Sequence, residues 1–312
     1  MANQENLSLT LKQLRYVVAS ADHRNITAAA LALHVSQPSL SMAIAAVEAQ
    51  YGRKLFARQQ GQGVAPTAFG RSFVAEARAI LAQAQALQRL GRADGPLSGE
   101  LTLGCFTDLA PYYVPDLIKR FAAKEPGIGV SLREGGFDDL GERLESGVLD
   151  LALTYDLGLS SRFERHSLVE LRPYAMLAAD HPLARGKAVS LKQLAAHPLV
   201  LTEQALSWQH VLELFAHAGV ALKVSMRASS FELQRSMVAS GLGVAVAYTR
   251  PRHDQSYDGR RLVARPISDR LPLQRILLAW AKANRPSPAA ARFAAFVREQ
   301  FTLQGLRSTA AR

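Results

Sequence analysis

Residues 27–47 constrain the fold of this chain more than any other stretch. Thr27-Ala28-Ala29-Ala30 through Leu33 and Ser36 through Val47 are helix-forming segments, joined only by His34-Val35-Ser36. So short a joint forces two helices to cross sharply, as in a helix-turn-helix. Thr27 and Ser36 are residues suited to cap a helix start. An apolar pair brackets each start, Ile26 with Leu31 and Val35 with Leu40, in the spacing of a hydrophobic staple. Pro38 falls in the first turn of the second helix, where its missing N–H costs little. Leu40, Ile44 and Val47 then point to a core. Upstream, Leu7, Leu11, Leu14 and Val18 make one apolar helical face that ends at Asp22-His23-Arg24-Asn25. Downstream, residues 54–58 and 64–65 are expected to be two short strands, with the tip Gln59-Gln60-Gly61-Gln62-Gly63 between them as a wing.

Thr67 opens a long helix reaching about Leu90. Gly70, Phe73, Ala77, Ile80, Ala84 and Leu87 step alternately by three and four, the spacing of a coiled-coil seam. Such a seam fits a stripe packed on the chain's own core or pairing with a second copy. The polar neighbours Glu76, Arg78, Gln83, Gln85, Gln88 and Arg89 leave only this stripe apolar, which favours pairing. Residues 91–96 read as a linker.

From there the texture is α/β. Apolar strands are expected at 101–104, 129–132 and 149–154, with helices near 112–124 and 137–146 between them, a βαβαβ spacing that implies a parallel sheet. A second set follows, with strands near 198–201, 223–226 and 243–248 and helices near 207–218 and 231–240. Strands near 163–168 and 261–266 connect the sets, and the chain returns to the first through 273–281 and a helix carrying Phe293, Phe296, Val297 and Phe301. The expected organisation is a winged helix-turn-helix over 1–66, a linker helix over 67–91, and a two-lobed α/β unit over 97–305. Its first lobe covers about 97–165 and 268–305, its second about 166–267. Two lobes joined by two crossings form a hinged cleft, a common place for small molecules.

Charge separates the parts. Residues 1–92 carry ten Lys and Arg against four Asp and Glu, whereas the remaining 220 carry 27 against 22. A basic N-terminal unit on a nearly balanced body suits a polyanion partner. No apolar run approaches the ~20 residues of a membrane span, and the polar start lacks a secretory h-region, so a cytoplasmic protein with no membrane role is expected. The single cysteine, Cys105, excludes an internal disulfide, and the eight histidines have no metal-ligand spacing. Neither a nucleophile elbow nor a P-loop occurs, and Ser240-Gly241-Leu242-Gly243 lacks the third glycine of a dinucleotide loop. No catalytic residue, metal or cofactor is expected.

The segments Leu11-Lys12-Gln13-Leu14-Arg15-Tyr16, Thr27-Ala28-Ala29-Ala30, Val35-Ser36-Gln37-Pro38-Ser39-Leu40-Ser41, Leu55-Phe56-Ala57-Arg58 and Thr67-Ala68-Phe69-Gly70 together resemble LysR-type transcriptional regulators. The remainder resembles that family's effector-binding region, which is similar to periplasmic binding proteins. The resemblance implies double-stranded DNA as one partner, a small-molecule effector (an organic acid or an aromatic compound) as another, and self-association as a homodimer or homotetramer. On the second helix of the motif, Gln37 has the amide geometry to pair with adenine, Ser39 can reach a base or phosphate, and Met42 can meet a thymine methyl. Pro38 lies on this face, Gln37 and Ser41 lie at its borders, Thr27 and Ser36 are further expected DNA contacts, and Arg53, Lys54 and Arg58 are the expected phosphate or minor-groove contacts. Where the family carries basic or amide groups, this chain has Met42, Ala43 and Ala45, which points to A·T contacts and DNA shape.

The effector residues are expected where strands hand over to helices with free N–H groups. In the first lobe these are Cys105, Phe106, Thr107, Gly135, Phe137 and Tyr155. In the second they are Thr202, Ser230, Phe231 and Tyr248. Asp108 stands where the family often has Thr, which argues against a simple carboxylate effector unless Asp108 caps its helix. For Cys105 a small buried hydrophobe is favoured over a reactive thiol. Two rival readings are an enzyme carrying an accessory DNA module and an architectural DNA-binding protein. The missing catalytic set weighs against the first and the cleft-forming body against the second.

Overall fold

The computed structural model describes residues 9–59, 63–90, 98–284 and 286–309. Leu7, residues 60–62 of the wing tip and the linker of 91–96 lie outside them, as do the side chains of Arg58 and Leu87. The chain begins with α1 (Leu11–His23), α2 (Ile26–Ala32) and α3 (Gln37–Tyr51), followed by β1 (Phe56–Gln59) and β2 (Gly63–Pro66), an antiparallel hairpin. Thr10 caps α1 in a reciprocal box with Gln13. Leu14, Tyr16 and Val17 turn inward, while Leu11, expected in the core, is exposed. Leu40, Ile44, Val47, Leu55 and Val64 complete this small core.

Two local expectations fail at α2. Its cap is Asn25, in extended backbone, whose side chain accepts from Thr27 N at 2.9 Å and Ala28 N at 3.2 Å. Asn25 reaches two N–H groups that Thr27, already inside the helix, cannot. Leu31 is 72% exposed and makes no staple with Ile26. The wing docks through two glycines. A Cβ on Gly63, at φ +85°, would lie 2.3 Å from the carbonyl oxygen of Arg24, and one on Gly70 1.9 Å from that of Leu55.

Thr67 accepts from Gly70 N at 2.9 Å and starts α4 (Ala68–Leu90). The first half of the expected seam is filled from within the chain. Gly70 touches the wing, Phe73 packs edge-on to Tyr51 with centroids 5.4 Å apart, and Val74 and Ala77 are buried near α1. Arg78 ties this helix to Asp22 at the end of α1. Ile80 is 43% exposed.

The α/β part then runs β3 (Gly99–Phe106), α5 (Ala110–Lys124), β4 (Ile128–Gly135), α6 (Phe137–Glu145), β5 (Leu151–Tyr155), β6 (Phe163–Leu171) and β7 (Tyr174–Ala178). It continues through a short 3-10 turn, Pro182–Arg185, to α7 (Leu191–Ala195), β8 (Leu199–Thr202), α8 (Ala205–His217), β9 (Val224–Ala228), α9 (Phe231–Ala239) and β10 (Ala245–Ala247). Last come β11 (Leu262–Pro266), β12 (Gln274–Ala281) and α10 (Pro288–Thr309).

Five strands form the first sheet in the order β4-β3-β5-β12-β6. Strand β3 is parallel to both its neighbours, and β12 is antiparallel to β5 and β6. The second lobe holds an antiparallel set β10-β7-β11 and a parallel pair β8-β9, linked by a bridge between Leu199 and Val244. Strand β6 stays in the first sheet to Leu171 rather than leaving it at 165, because β12 pairs with it along its whole length. Strand β7, unforeseen in the sequence, is buried at every position. The chain crosses between lobes at Arg172-Pro173 and returns between Pro266 and Gln274. No single helix among the described residues is long and apolar enough to cross a membrane.

Candidate functional site

The first candidate surface is the outward face of α3. Burial of Leu40, Ile44 and Val47 turns Pro38, Ser39, Met42, Ala45, Ala46 and Ala49 to solvent, and Met42 is 72% exposed. Ser36 caps the helix by accepting from Ser39 N at 3.3 Å, and its hydroxyl lies 2.7 Å from that of Ser39. Gln37, the first residue of α3, donates from Nε2 to Ser41 Oγ at 2.9 Å, which fixes its amide at the helix start. Helix N-terminal residues are those a helix-turn-helix presents to base edges. Thr27 is exposed near the start of α2. Beside them, Lys54 pairs with Glu48 at 2.6 Å, and the same carboxylate accepts from Leu55 N at 2.9 Å, so part of the Lys54 charge is neutralised. Arg53 lies over the Phe69 ring, 4.5 Å from its centroid.

The second candidate lies between the lobes. A cavity of about 70 Å3 is walled by Tyr155 and Leu157 from the first lobe and by Leu201, Thr202, Trp208, Val211, Phe231, Val246 and Tyr248 from the second. Asp108, Ser207, His210, Gln234, Thr249 and Gln274 supply its polar groups. Hydrogen bonds cross from lobe to lobe around it. Asp108 Oδ1 accepts from Phe231 N at 3.1 Å, Tyr155 meets the Thr249 hydroxyl, and Tyr112 meets the Glu232 carboxylate. Burial, with Glu232 nearby, pushes the Asp108 carboxyl above the usual carboxylate range, opposed by the bond from Phe231. His210 Nε2 lies 2.8 Å from the Tyr248 hydroxyl, and burial holds its imidazole below the ordinary histidine value.

Of the residues expected at the strand ends, Tyr155, Thr202, Phe231 and Tyr248 come together on the cavity wall. The others do not. Cys105 and Phe106 are fully buried, because the inner strand β3 is covered on both faces. Burial pushes the Cys105 thiol far up, and Sγ lies 3.5 Å from the Phe106 carbonyl oxygen. Phe137 stacks on Phe106 with centroids 4.2 Å apart, inside the first-lobe core. Thr107 spends its hydroxyl on the Gly135 carbonyl at 3.3 Å, and Gly135 is crowded by Asp139. Ser230 caps α9 by accepting from Leu233 N at 3.2 Å. Asp108 does act as a cap, but of α9 in the opposite lobe rather than of the helix that follows it.

Sequence reasoning missed Trp208, His210, Val211 and Gln234. They lie on helices α8 and α9, and a search confined to strand ends passes over them. The spacing of Ser207, His210 and Val211, three and four apart, is the signal that one face of α8 looks inward.

Residues 11–71 match the model for a bacterial regulatory helix-turn-helix protein of the lysR family, and residues 94–302 match the LysR substrate binding domain. The Hca operon transcriptional activator HcaR of Escherichia coli is 30% identical over 295 residues, 94% of this chain and 98% of its own length. A full-length OxyR variant from Pseudomonas aeruginosa is 29% identical with a TM-score of 0.79, covering 93% of this chain and 95% of that one. HinK from the same organism is 30% identical with a TM-score of 0.64, over 94% and 99% of the two chains. With a DNA-binding helix-turn-helix at one end and an effector-binding domain at the other, this chain belongs to the LysR family of transcriptional regulators.

Proposed function

We propose that this regulator works in the cytoplasm as a homo-oligomer joined through α4, and that a small molecule held between its lobes sets how its DNA-reading helices are spaced. Gln37, Ser39 and Met42 face the bases in this reading. Thr27, Ser36, Pro38, Ser41, Arg53, Lys54 and Arg58 position the helix against the backbone. The effector lies against Tyr155, Thr202, Trp208, Phe231 and Tyr248. The observation that carries the reading is the aromatic-walled cavity at the hinge, bounded by bonds between the two lobes. Its size, about 70 Å3, is well below the ~300 Å3 at which ligand pockets usually begin, so the lobes part to admit a ligand. Binding then exchanges interlobe bonds for ligand contacts and shifts the balance of lobe angles. Nothing in this mechanism requires catalysis.

Ser207→Trp tests it, since Ser207 is half-buried on the wall and an indole there fills the cavity. The variant is expected to bind operator DNA within about twofold of the parent, and to give the same footprint with or without a cell metabolite extract that changes the parent's. An extract-dependent footprint that survives in the variant would move the effector elsewhere.

A further inference from the structure

The cavity differs from an anion site in a way that bears on the effector's chemistry. An organic anion entering an α/β cleft is held most strongly by a cationic side chain. Among the described residues no Lys or Arg lines this cavity. Arg227 lies over Trp208, 4.8 Å from the ring centroid, but is itself exposed and off the wall. Arg235 is buried nearby, but it is held by Glu232 at 3.2 Å and by the carbonyls of His253 and Gln255 at 2.9 and 2.7 Å. Burial disfavours the cationic form of His210. The N-terminus of α9, which faces the cavity, already has an anion: the Asp108 carboxylate, reaching over from the other lobe.

The wall thus carries one carboxylate and no cation. Only Oδ1 of Asp108 has a protein donor among the described residues. The surrounding rings of Tyr155, Trp208, Phe231 and Tyr248 suit an aromatic body, and ring faces also attract a cation. Resting on the reading of the cleft as the effector site, we propose that its ligand is a small aromatic amine, with the protonated nitrogen against Asp108 and the ring among these aromatic walls. The ammonium supplies the charge partner that the half-buried carboxylate lacks, which offsets its desolvation. A carboxylic acid would instead meet the like charge of Asp108, with no cationic side chain on the wall.

Calorimetric titration of the full-length protein with phenethylamine, phenethyl alcohol and phenylacetate tests this. One ring skeleton is kept with a cationic, a neutral and an anionic head. Phenethylamine is expected to bind tightest. Asp108→Asn keeps the acceptor for Phe231 N and loses the charge, and should weaken phenethylamine at least about tenfold while leaving the alcohol unchanged. Equal amine affinity in parent and Asp108→Asn, or no binding by any of the three, would overturn the assignment. Repeating the titrations on Ser207→Trp separates the two levels of inference. If phenylacetate or the alcohol binds tightest and Ser207→Trp abolishes that binding, the cleft reading stands and the amine class falls. If the tightest binder is indifferent to Ser207→Trp, both fall.

Discussion

His210 couples the cleft to pH. Its imidazole bonds to the Tyr248 hydroxyl at 2.8 Å, and burial holds it below the ordinary value of 6.5. The unfolded chain therefore takes up a proton near pH 6.5 while the folded chain resists it. Stability rises with pH wherever the unfolded state binds more protons, so this contribution is lost as pH falls from about 6.5 through the folded value. His181 shifts the same way through burial and His197, and supplies a background. His210→Gln retains a partner for Tyr248 but cannot titrate. Its Tm is expected to fall less than the parent's between pH 7 and 5, and an identical fall would place the imidazole in water. Strand-end logic found Tyr155, Thr202, Phe231 and Tyr248, because strand ends are where backbone groups open to a cleft. It misplaced Cys105 and Phe106, because alternation assigns a side chain to one face of a strand and β3 is buried on both. The role of Asp108 was beyond reach for a different reason. Its partner, Phe231, lies in the other lobe, and local sequence carries no trace of that approach.

Helix α4 separates what periodicity tells from what it leaves open. The three-four stepping from Gly70 to Leu87 specifies an apolar stripe, not the surface that covers it. The structure covers Gly70, Phe73 and Ala77 from within the chain and leaves Ile80 exposed. A second copy is therefore expected to pair from Ile80 onward. Ile80→Asp would put an unpartnered charge at that contact, costing at least about 2 kcal/mol. In sedimentation the variant should run one step below the parent's oligomer and bind DNA at least about tenfold more weakly. An unchanged sedimentation coefficient would exclude this stripe as the joint. The helix-turn-helix was legible because its three-residue joint and the core set Leu40, Ile44 and Val47 are local. The cap of α2 was misread by two positions because Asn25 and Thr27 are both good caps, and only backbone conformation decides between them. Strand β7 is buried at all five positions, so it lacks the apolar–polar alternation that marks a strand in a sequence.

The whole molecule joins a basic reading head to a hinged two-lobed body through α4. Both the head and the alternation of strands and helices in the body were readable in the sequence, since each rests on local patterns of charge and hydrophobicity. The lobe boundary was not, because β6 stays in the first sheet through pairing with β12, more than a hundred residues downstream. If two heads pair as proposed, the pairing dictates the form of the target. Two copies related by a twofold axis place their α3 helices in successive major grooves, so the site has dyad symmetry with half-sites about one helical turn, or a multiple of it, apart. The exposed row of Met42, Ala45, Ala46 and Ala49 offers methyl contacts and no reader of guanine, which favours A·T-rich half-sites. Sequence-specific reading by α3 is tested by selection from a random duplex pool by the full-length protein, run in parallel with Gln37→Ala. The parent is expected to enrich a dyad-symmetric, A·T-rich motif, and Gln37→Ala to relax preference at one position in each half-site. Enrichment of no motif, or a motif that is identical in Gln37→Ala, would contradict it.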